Sequence, residues 1–151
     1  MGEHADQLMP YTREFARTAA AAVADPAAYA AGLAAEAEIY APLGELLVDH
    51  DVMLCPTVAS YGLEAGEDYI DLLVEVGDQQ VPWTDVLMTL PFNVIGRVPV
   101  LAVPSGRTSG GLPTGVQLVG RTYDDVTVFR AGAALESALG LWSDPTWRPG
   151  L

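Results

Sequence analysis

The stretch that decides the fold class of this 151-residue chain is Leu90–Gly120, which reads LPFNVIGRVPVLAVPSGRTSGGLPTGVQLVG. Two apolar runs in it, PVLAV at Pro99–Val103 and GVQLV at Gly115–Val119, have the length and composition of buried strands. The segment between them is rich in Pro and Gly, as turns are. The stretch therefore predicts two strands that form a hairpin with a long loop or lie as neighbours in a mixed sheet.

Helices are predicted on the N-terminal side of this stretch. Pro10 suits the first position of a helix, and apolar residues follow it at helical spacing. Asp25 and Pro26 end that helix and begin a second one, with Asp25 as N-cap. Pro42 should kink or divide the second helix. An αα-hairpin is the simplest arrangement for two helices with alanine-rich surfaces.

The middle of the chain is less readable. Asp51–Cys55 is nearly all apolar and ends at a proline, which suits a strand buried on both faces. The acidic segment 60–81 is compatible with a helix, a hairpin or a long covering loop. A further helical stretch is expected to start near Thr84 and run into Pro91.

The C-terminal part begins with a strong helix signal. Asp124 or Asp125 should cap a helix that runs through Leu139, and Gly140 should stop it. We expect one α/β domain with a helical lead-in (1–50), a sheet with covering helices (51–139) and an irregular tail (140–151), in which two tryptophans pin the tail to the body.

Composition restricts the function classes. The formal net charge is −13, and all seven basic residues are scattered arginines, so a basic stripe for nucleic acid is absent from the sequence. No apolar run is long enough for a membrane span, and the N-terminus does not resemble a signal peptide. With Cys55 as the single cysteine, we expect a cytoplasmic protein that binds neither nucleic acid nor membrane.

Individual residues offer little catalytic chemistry. Ser109, Gly110 and Gly111 lack the lysine and spacing of a phosphate-binding loop, so a plain turn is expected. Ser105 and His50 could belong to a nucleophile–base pair, but no nucleophile-elbow motif surrounds Ser105. The two histidines lack metal-ligand spacing, so no metal site is expected. Cys55 is expected to be a buried, inert thiol.

Three blocks in order resemble the amidase signature family. They are DVMLCPT at Asp51–Thr57, PFNVIGRVPVLAVPSG at Pro91–Gly106 and GLPTGVQLVGRTYDD at Gly111–Asp125. With the helix that follows, the similarity covers Asp51–Leu139 and corresponds to the C-terminal part of such enzymes. The resemblance implies an α/β/α fold around a mixed, twisted sheet and hydrolysis of carboxamide C–N bonds without metal or cofactor.

The resemblance also implies a catalytic triad that this chain does not contain. In the family, a serine nucleophile is activated through a second serine by a lysine, on a serine-rich segment upstream of these blocks. The present sequence has no lysine, so no catalytic residue is carried over. Thr57, Phe92 and Asn93 are the residues expected to face the substrate cleft, although the Asn93 amide could instead cap the turn at Gly96. Gln117 is expected to satisfy buried backbone groups.

Three functional hypotheses follow. The first is the C-terminal, non-catalytic portion of an amidase for a small-molecule amide, partnered by the missing N-terminal portion or by another copy. The second is a non-enzymatic interaction or assembly module, and an amidotransferase component is a further alternative. The third is an independent hydrolase that uses Ser105 and His50. Exposed strand edges would make the isolated chain associate.

Overall fold

The computed structural model describes residues 4–67 and 69–147. It therefore leaves the last part of the predicted tail, 148–151, outside the described residues. Four helices and five strands are the main elements in the described ranges. In chain order they are α1 (Pro10–Ala22), α2 (Pro26–Asp49), β1 (Val52–Pro56), β2 (Leu73–Val76), β3 (Gln79–Pro82), α3 (Leu90–Ile95), β4 (Val100–Arg107), β5 (Pro113–Gly120) and α4 (Asp125–Leu139).

The central sheet has three strands in the order β1-β5-β4. β4 and β5 form an antiparallel hairpin, with Leu101 opposite Leu118 and Val103 opposite Val116. β1 pairs antiparallel with the other side of β5. The sequence left a hairpin and a mixed-sheet neighbourhood open for the two apolar runs, and the hairpin is the observed one. All strand pairings in the described residues are antiparallel.

The two faces of this sheet bury two separate clusters, because side chains alternate between faces along a strand. Val119 packs with Leu43 and Leu47 of α2 and Ile95 of α3. Leu118, the preceding residue of β5, packs on the opposite face with Val128 of α4. The result is three layers, with α2 and α3 on one side of the sheet and α4 on the other, which confirms the α/β fold class.

α2 begins as predicted but is not divided at its proline. The Asp25 carboxylate accepts a hydrogen bond of 2.9 Å from the backbone N–H of Ala27 and caps the helix. The helix then continues through Pro42 as one element of 24 residues. Leu43 and Leu47, just beyond the proline, are buried against the sheet, and this packing holds the second half of the helix in place despite the missing backbone donor.

The predicted αα-hairpin does not form. α1 has no buried residue, and in α2 burial is confined to Leu43 and Leu47. α1 is anchored elsewhere, because the Tyr11 ring makes edge contacts with Tyr69 and Trp83 at centroid distances of 5.8 Å. Ala-rich surfaces allow close helix packing but bury too little apolar area to enforce it.

The expectation that the first strand is buried on both faces is also wrong. β1 lies at the edge of the sheet, and Leu54 on it is 56% exposed. Its continuous apolar run suits a strand with neighbours on both sides, and within the described residues only β5 pairs with it.

The segment that the sequence left open, 60–81, is a loop followed by the antiparallel hairpin of β2 and β3. The single helix expected near Thr84 is instead a 3₁₀ turn at Trp83–Val86 and the separate helix α3. Gly96, at φ 47°, ends α3 in the left-handed region that glycine adopts without strain.

α4 matches its sequence signals and packs closely on the sheet. The Asp124 carboxylate accepts from the Thr127 N–H at 3.3 Å, and Gly140 ends the helix at φ 62°. A Cβ placed on Gly132 would lie 2.3 Å from Leu101 Cδ2, so glycine permits the close approach. In the tail, the Arg107 guanidinium lies 4.4 Å from the centre of the Trp147 ring and pins it to the body.

Candidate functional site

A cleft of about 630 Å³ lies where β1 and the β4–β5 hairpin end and the turn of β2 and β3 faces them. We call it the Thr57 cleft. Its walls come from the segment 56–62, the hairpin residues 75–77 and the two hairpin strands at 105–108 and 113–116. The cleft thus joins the end of the three-stranded sheet to the region that the sequence could not resolve.

Thr57, one of the three residues expected to face a substrate, lines this cleft. Its hydroxyl donates to the carbonyl of Gly115 at 3.1 Å, and its backbone N–H donates to the same carbonyl at 3.2 Å. A Cβ on Gly115 would lie 3.3 Å from the Thr57 hydroxyl, so glycine leaves room for this contact. Thr57 is therefore held firmly against β5 at the mouth of the sheet.

Gln117 fixes the segments on either side of Thr57. Its side chain is 0% exposed. The amide nitrogen donates to the carbonyl of Pro56 at 3.0 Å and to that of Met88 at 2.8 Å. The Met88 N–H in turn donates to the carbonyl of Thr57 at 3.1 Å. The expectation that Gln117 satisfies buried backbone groups is confirmed, and these bonds hold the floor of the Thr57 cleft.

A pair of hydroxyls marks the opposite wall. Ser105 Oγ and Thr114 Oγ1 lie 3.0 Å apart, one on each strand of the hairpin. The register of the two strands shifts between Pro104 and Gly106, and Gly106 has φ 150°. This irregularity in the strand pairing sits beside the cleft, a place where such bulges re-aim side chains.

Phe92 and Asn93 lie on α3 and are not among the residues that line the Thr57 cleft. Phe92 packs against the cluster of Leu47, Ile95 and Val119 on the α2 side of the sheet. Asn93 is exposed, and the described structure shows no hydrogen bond from its side chain to the turn at Gly96. The structure therefore brings one of the three predicted residues to the cleft and leaves the other two beside it.

Ser105 and His50 do not form a catalytic pair. Ser105 lies near Gly115, whereas His50 precedes Val52, which pairs with Gly120 at the other end of β5. Five residues of strand separate the two ends by about 17 Å. His50 Nδ1 is within 3.0 Å of the Leu46 carbonyl and caps the end of α2.

Cys55 is half-buried beside Gln117, its partner across β1 and β5. Burial raises the pKa of its thiol, and a hydrogen bond with Gln117 opposes part of that shift. Its thiol is therefore neutral near pH 7 and a poor nucleophile. No group of three or more His, Cys, Asp or Glu residues in 4–67 and 69–147 is arranged to hold a metal ion.

Comparison with known proteins assigns the family. The profile of the Amidase family matches residues 5–129, and the chain belongs to this family. The match begins in the N-terminal helices, well before Asp51, where the resemblance read from the sequence begins. The helical lead-in is thus part of the family's fold.

Named relatives include the amidase-family component of glutamyl-tRNA(Gln) amidotransferase from two bacteria. The protein from Brevibacillus brevis is 35% identical over 68% of this chain and 19% of its own length. The protein from Rhodospirillum rubrum is 37% identical over 66% of this chain and 18% of its own length. The chain spans about a fifth of the length of these relatives.

Solved structures agree with the family assignment. A structure described as an amidase superposes with TM-score 0.75 at 28% identity, covering 91% of this chain and 30% of the other. A bacterial aryl acylamidase of the amidase signature family superposes with TM-score 0.73 at 23% identity over 99% of this chain and 31% of the other, which supports the fold alone.

Sequence reasoning missed the wall of the cleft that the hairpin of β2 and β3 provides, including Glu75. Nothing in the acidic segment 60–81 distinguishes Glu75 from its neighbours, because its position depends on how the hairpin folds back over the sheet. No helix in the described ranges is long and apolar enough to cross a membrane.

Proposed function

We propose that this chain forms the C-terminal, non-catalytic wall of an amidase that hydrolyses small carboxamides, and that the catalytic serines and lysine come from a portion outside these residues. The observation that carries the proposal is the pairing of a family match over residues 5–129 with a sequence that has no lysine. The fold is present, and the acid–base group that the family resemblance implies is not.

The exposed apolar surface supports a large missing neighbour. Val126 and Phe129 project from α4 with exposed fractions of 60% and 64%. Single exposed apolar residues are common on any protein, but exposed rings and branched side chains on a core helix indicate an interface. Both outer strands of the sheet, β1 and β4, are also unpaired on one side in the described structure.

The Thr57 cleft supports a role in substrate binding. Thr57 is held rigidly by Gly115 and lies on a wall of backbone and hydroxyl groups that can hydrogen-bond an amide. Asn93 is exposed on α3, and Phe92 anchors that helix to the core beneath it. We propose that Thr57 faces the substrate directly and that Phe92 and Asn93 border the cleft once the remaining portion is present.

The first test is covalent labelling of serine with a fluorophosphonate probe. The chain alone should show no labelled serine and no ammonia release from a panel of simple amides. When an N-terminal amidase portion with the serine-rich segment and lysine is added in trans, both signals should appear. Labelling of Ser105 in the isolated chain would overturn the proposal in favour of an independent hydrolase.

A matched control uses the same mixture with the lysine of the added portion replaced by alanine. Activity should then vanish while association persists. If the two portions associate but never hydrolyse an amide, the non-enzymatic assembly module becomes the better description of this chain.

A second candidate is a component of an amidotransferase, because the named relatives carry that function in their names. The net charge of −13 and the scattered arginines disfavour contact between this portion and tRNA. A gel-shift titration with glutamyl-tRNA(Gln) tests it. No shift is expected at physiological salt, and a shift that weakens with added salt would support the amidotransferase.

A further inference from the structure

The Thr57 cleft has an unusual balance of polar groups. Hydroxyl side chains dominate its polar lining, and one carboxylate, that of Glu75, joins them from β2. The hydroxyl-bearing residues are Thr57, Ser60, Tyr61, Ser105, Thr108 and Thr114. Hydroxyls both donate and accept hydrogen bonds, so they tolerate a neutral amide, whereas the carboxylate only accepts.

No basic side chain in the described residues lines this cleft. Arg107 is the basic residue on the strand that contributes Ser105. Its guanidinium donates to the carbonyls of Gly111 and Thr146, both at 3.0 Å, and stacks on Trp147. These contacts direct the Arg107 charge toward the tail and leave Glu75 as the charged group of the lining.

We propose that the Thr57 cleft takes a cationic or neutral amide headgroup and disfavours an anionic one, and that Glu75 sets this preference. The inference deepens the proposed function and rests on it for the statement that the ligand is a substrate. It assigns a substrate class: amides whose group near the hairpin turn is uncharged or positively charged.

The size of the preference follows from the exposure of Glu75, which lies on the open face of β2. An exposed ion pair changes affinity by about two- to fivefold at low salt. At 1 M salt the screening length falls to about 3 Å, so most of the preference should disappear. A much larger effect would require a buried pair, which this strand does not provide.

Three probes of one shape test the charge preference. Benzamidine is a cation, benzamide is neutral and benzoate is an anion, and all three are planar and of similar size. Titrations of the ¹⁵N-labelled chain should shift the backbone amides of Thr57, Val76 and Gly115. Affinity should fall from benzamidine to benzamide to benzoate, with about a two- to fivefold step between the first two.

Two variants make the test specific. Glu75→Gln should reduce benzamidine affinity to that of benzamide, and Glu75→Arg should reverse the order of benzamidine and benzoate. Asp78→Asn is the matched control, because it removes a carboxylate from the same hairpin outside the cleft lining. Asp78→Asn should keep the original order.

The proposal is overturned if benzoate binds as well as benzamidine, if Glu75→Gln leaves the order unchanged, or if none of the probes binds at the cleft. In the two-portion enzyme, Glu75→Gln should lower the ratio of kcat/KM for a cationic amide to that for an anionic amide, through KM. Failure of the two-portion mixture to hydrolyse amides would instead refute the proposed function, while the charge order of the probes would still decide the property of the cleft.

Discussion

The β4–β5–α4 region and the N-terminal helices are both rich in alanine and other apolar residues, but their environments are opposite. In the first, Val103, Leu118 and Val128 form a buried cluster. In the second, α1 has no buried residue, and Phe15 on it is 75% exposed. Both regions begin with clear helix or strand signals, so local preference alone does not explain the difference.

Burial in this chain instead depends on partners within reach of the sheet. α2 belongs to both environments, because its first half is exposed and Leu43 and Leu47 in its second half are buried. Helix formation in the first half therefore depends on the Asp25 cap and on alanine-rich propensity. Substitutions in α2 and around the sheet can test whether proximity to the sheet is what separates the two environments.

The largest effect is expected from Leu47→Ala. Leu47 is 1% exposed and packs against Ile95 and Val119, so the cavity should lower the free energy of unfolding by about 2–5 kcal/mol. The matched control is Leu33→Ala in the same helix, where the side chain is 49% exposed and the change should stay within about 0.5 kcal/mol. Urea unfolding followed by circular dichroism measures both, and equal losses would contradict the contrast.

Gly120→Ala should destabilise the sheet–helix contact. A Cβ at Gly120 would lie 2.3 Å from Val128 Cγ2 inside the core, and we expect a loss of about 1–3 kcal/mol. Gly32→Ala in the exposed half of α2 meets no atom within 4 Å and should stabilise the chain by about 0.5–1 kcal/mol. Thermal unfolding should therefore move in opposite directions for the two variants, and a shift of the same sign would refute the assignment of environments.

Gln117→Leu should loosen the floor of the Thr57 cleft. The variant removes the donor to the Pro56 and Met88 carbonyls, at an expected cost of about 1–2 kcal/mol. Hydrogen exchange should accelerate at the amides of Ala59 and Met88, whose backbone bonds hold this segment. The amide of Gly120, bonded to Pro99, serves as the internal control. Unchanged exchange at Ala59 and Met88 would show that the Gln117 amide does not hold the floor.

The smallest effect concerns Cys55. Because burial raises the pKa of its thiol above the ordinary value of 9.0, folding favours the protonated form. Its contribution to stability is complete below pH 9.0 and is lost as the pH rises through the folded-state pKa. Unfolding free energies measured from pH 8 to 10.5 should fall less in Cys55→Ala than in the original chain, and equal slopes would contradict the shift.

Iodoacetamide provides an independent check on the same residue. Alkylation of Cys55 at pH 8 should be slower in the folded chain than in urea, because the nucleophilic thiolate is disfavoured by burial.

Much of the fold could be predicted from local chemistry. The caps at Asp25 and Asp124 and the stop at Gly140 depend on side-chain and backbone preferences that act within a few residues. The hairpin of β4 and β5 was one of two arrangements that the Pro- and Gly-rich turn allowed. Family membership was also readable, since three blocks in order are specific even when each one is modest evidence.

Long-range packing was not readable. The sequence pattern of Pro42 suggests a break, yet the buried Leu43 and Leu47 keep α2 continuous. The acidic segment 60–81 has no period that separates a strand from a loop, so the hairpin of β2 and β3 and the placement of Glu75 could not be predicted. Asn93 and Phe92 were grouped with Thr57 because they lie in family blocks, and the blocks do not specify which side of the sheet each one faces.

Local sequence was enough to set the caps of α2 and α4, the two apolar strands β4 and β5, and the family, and it shows directly that these residues include no lysine. Only the folded chain reveals that Gln117 bridges Pro56 and Met88, that Thr57 and Glu75 share a cleft, and that Ser105 and His50 do not meet. The physical reason is range: caps and turns act over a few bonds, whereas a cleft exists only where segments distant in the chain are held together by a buried core.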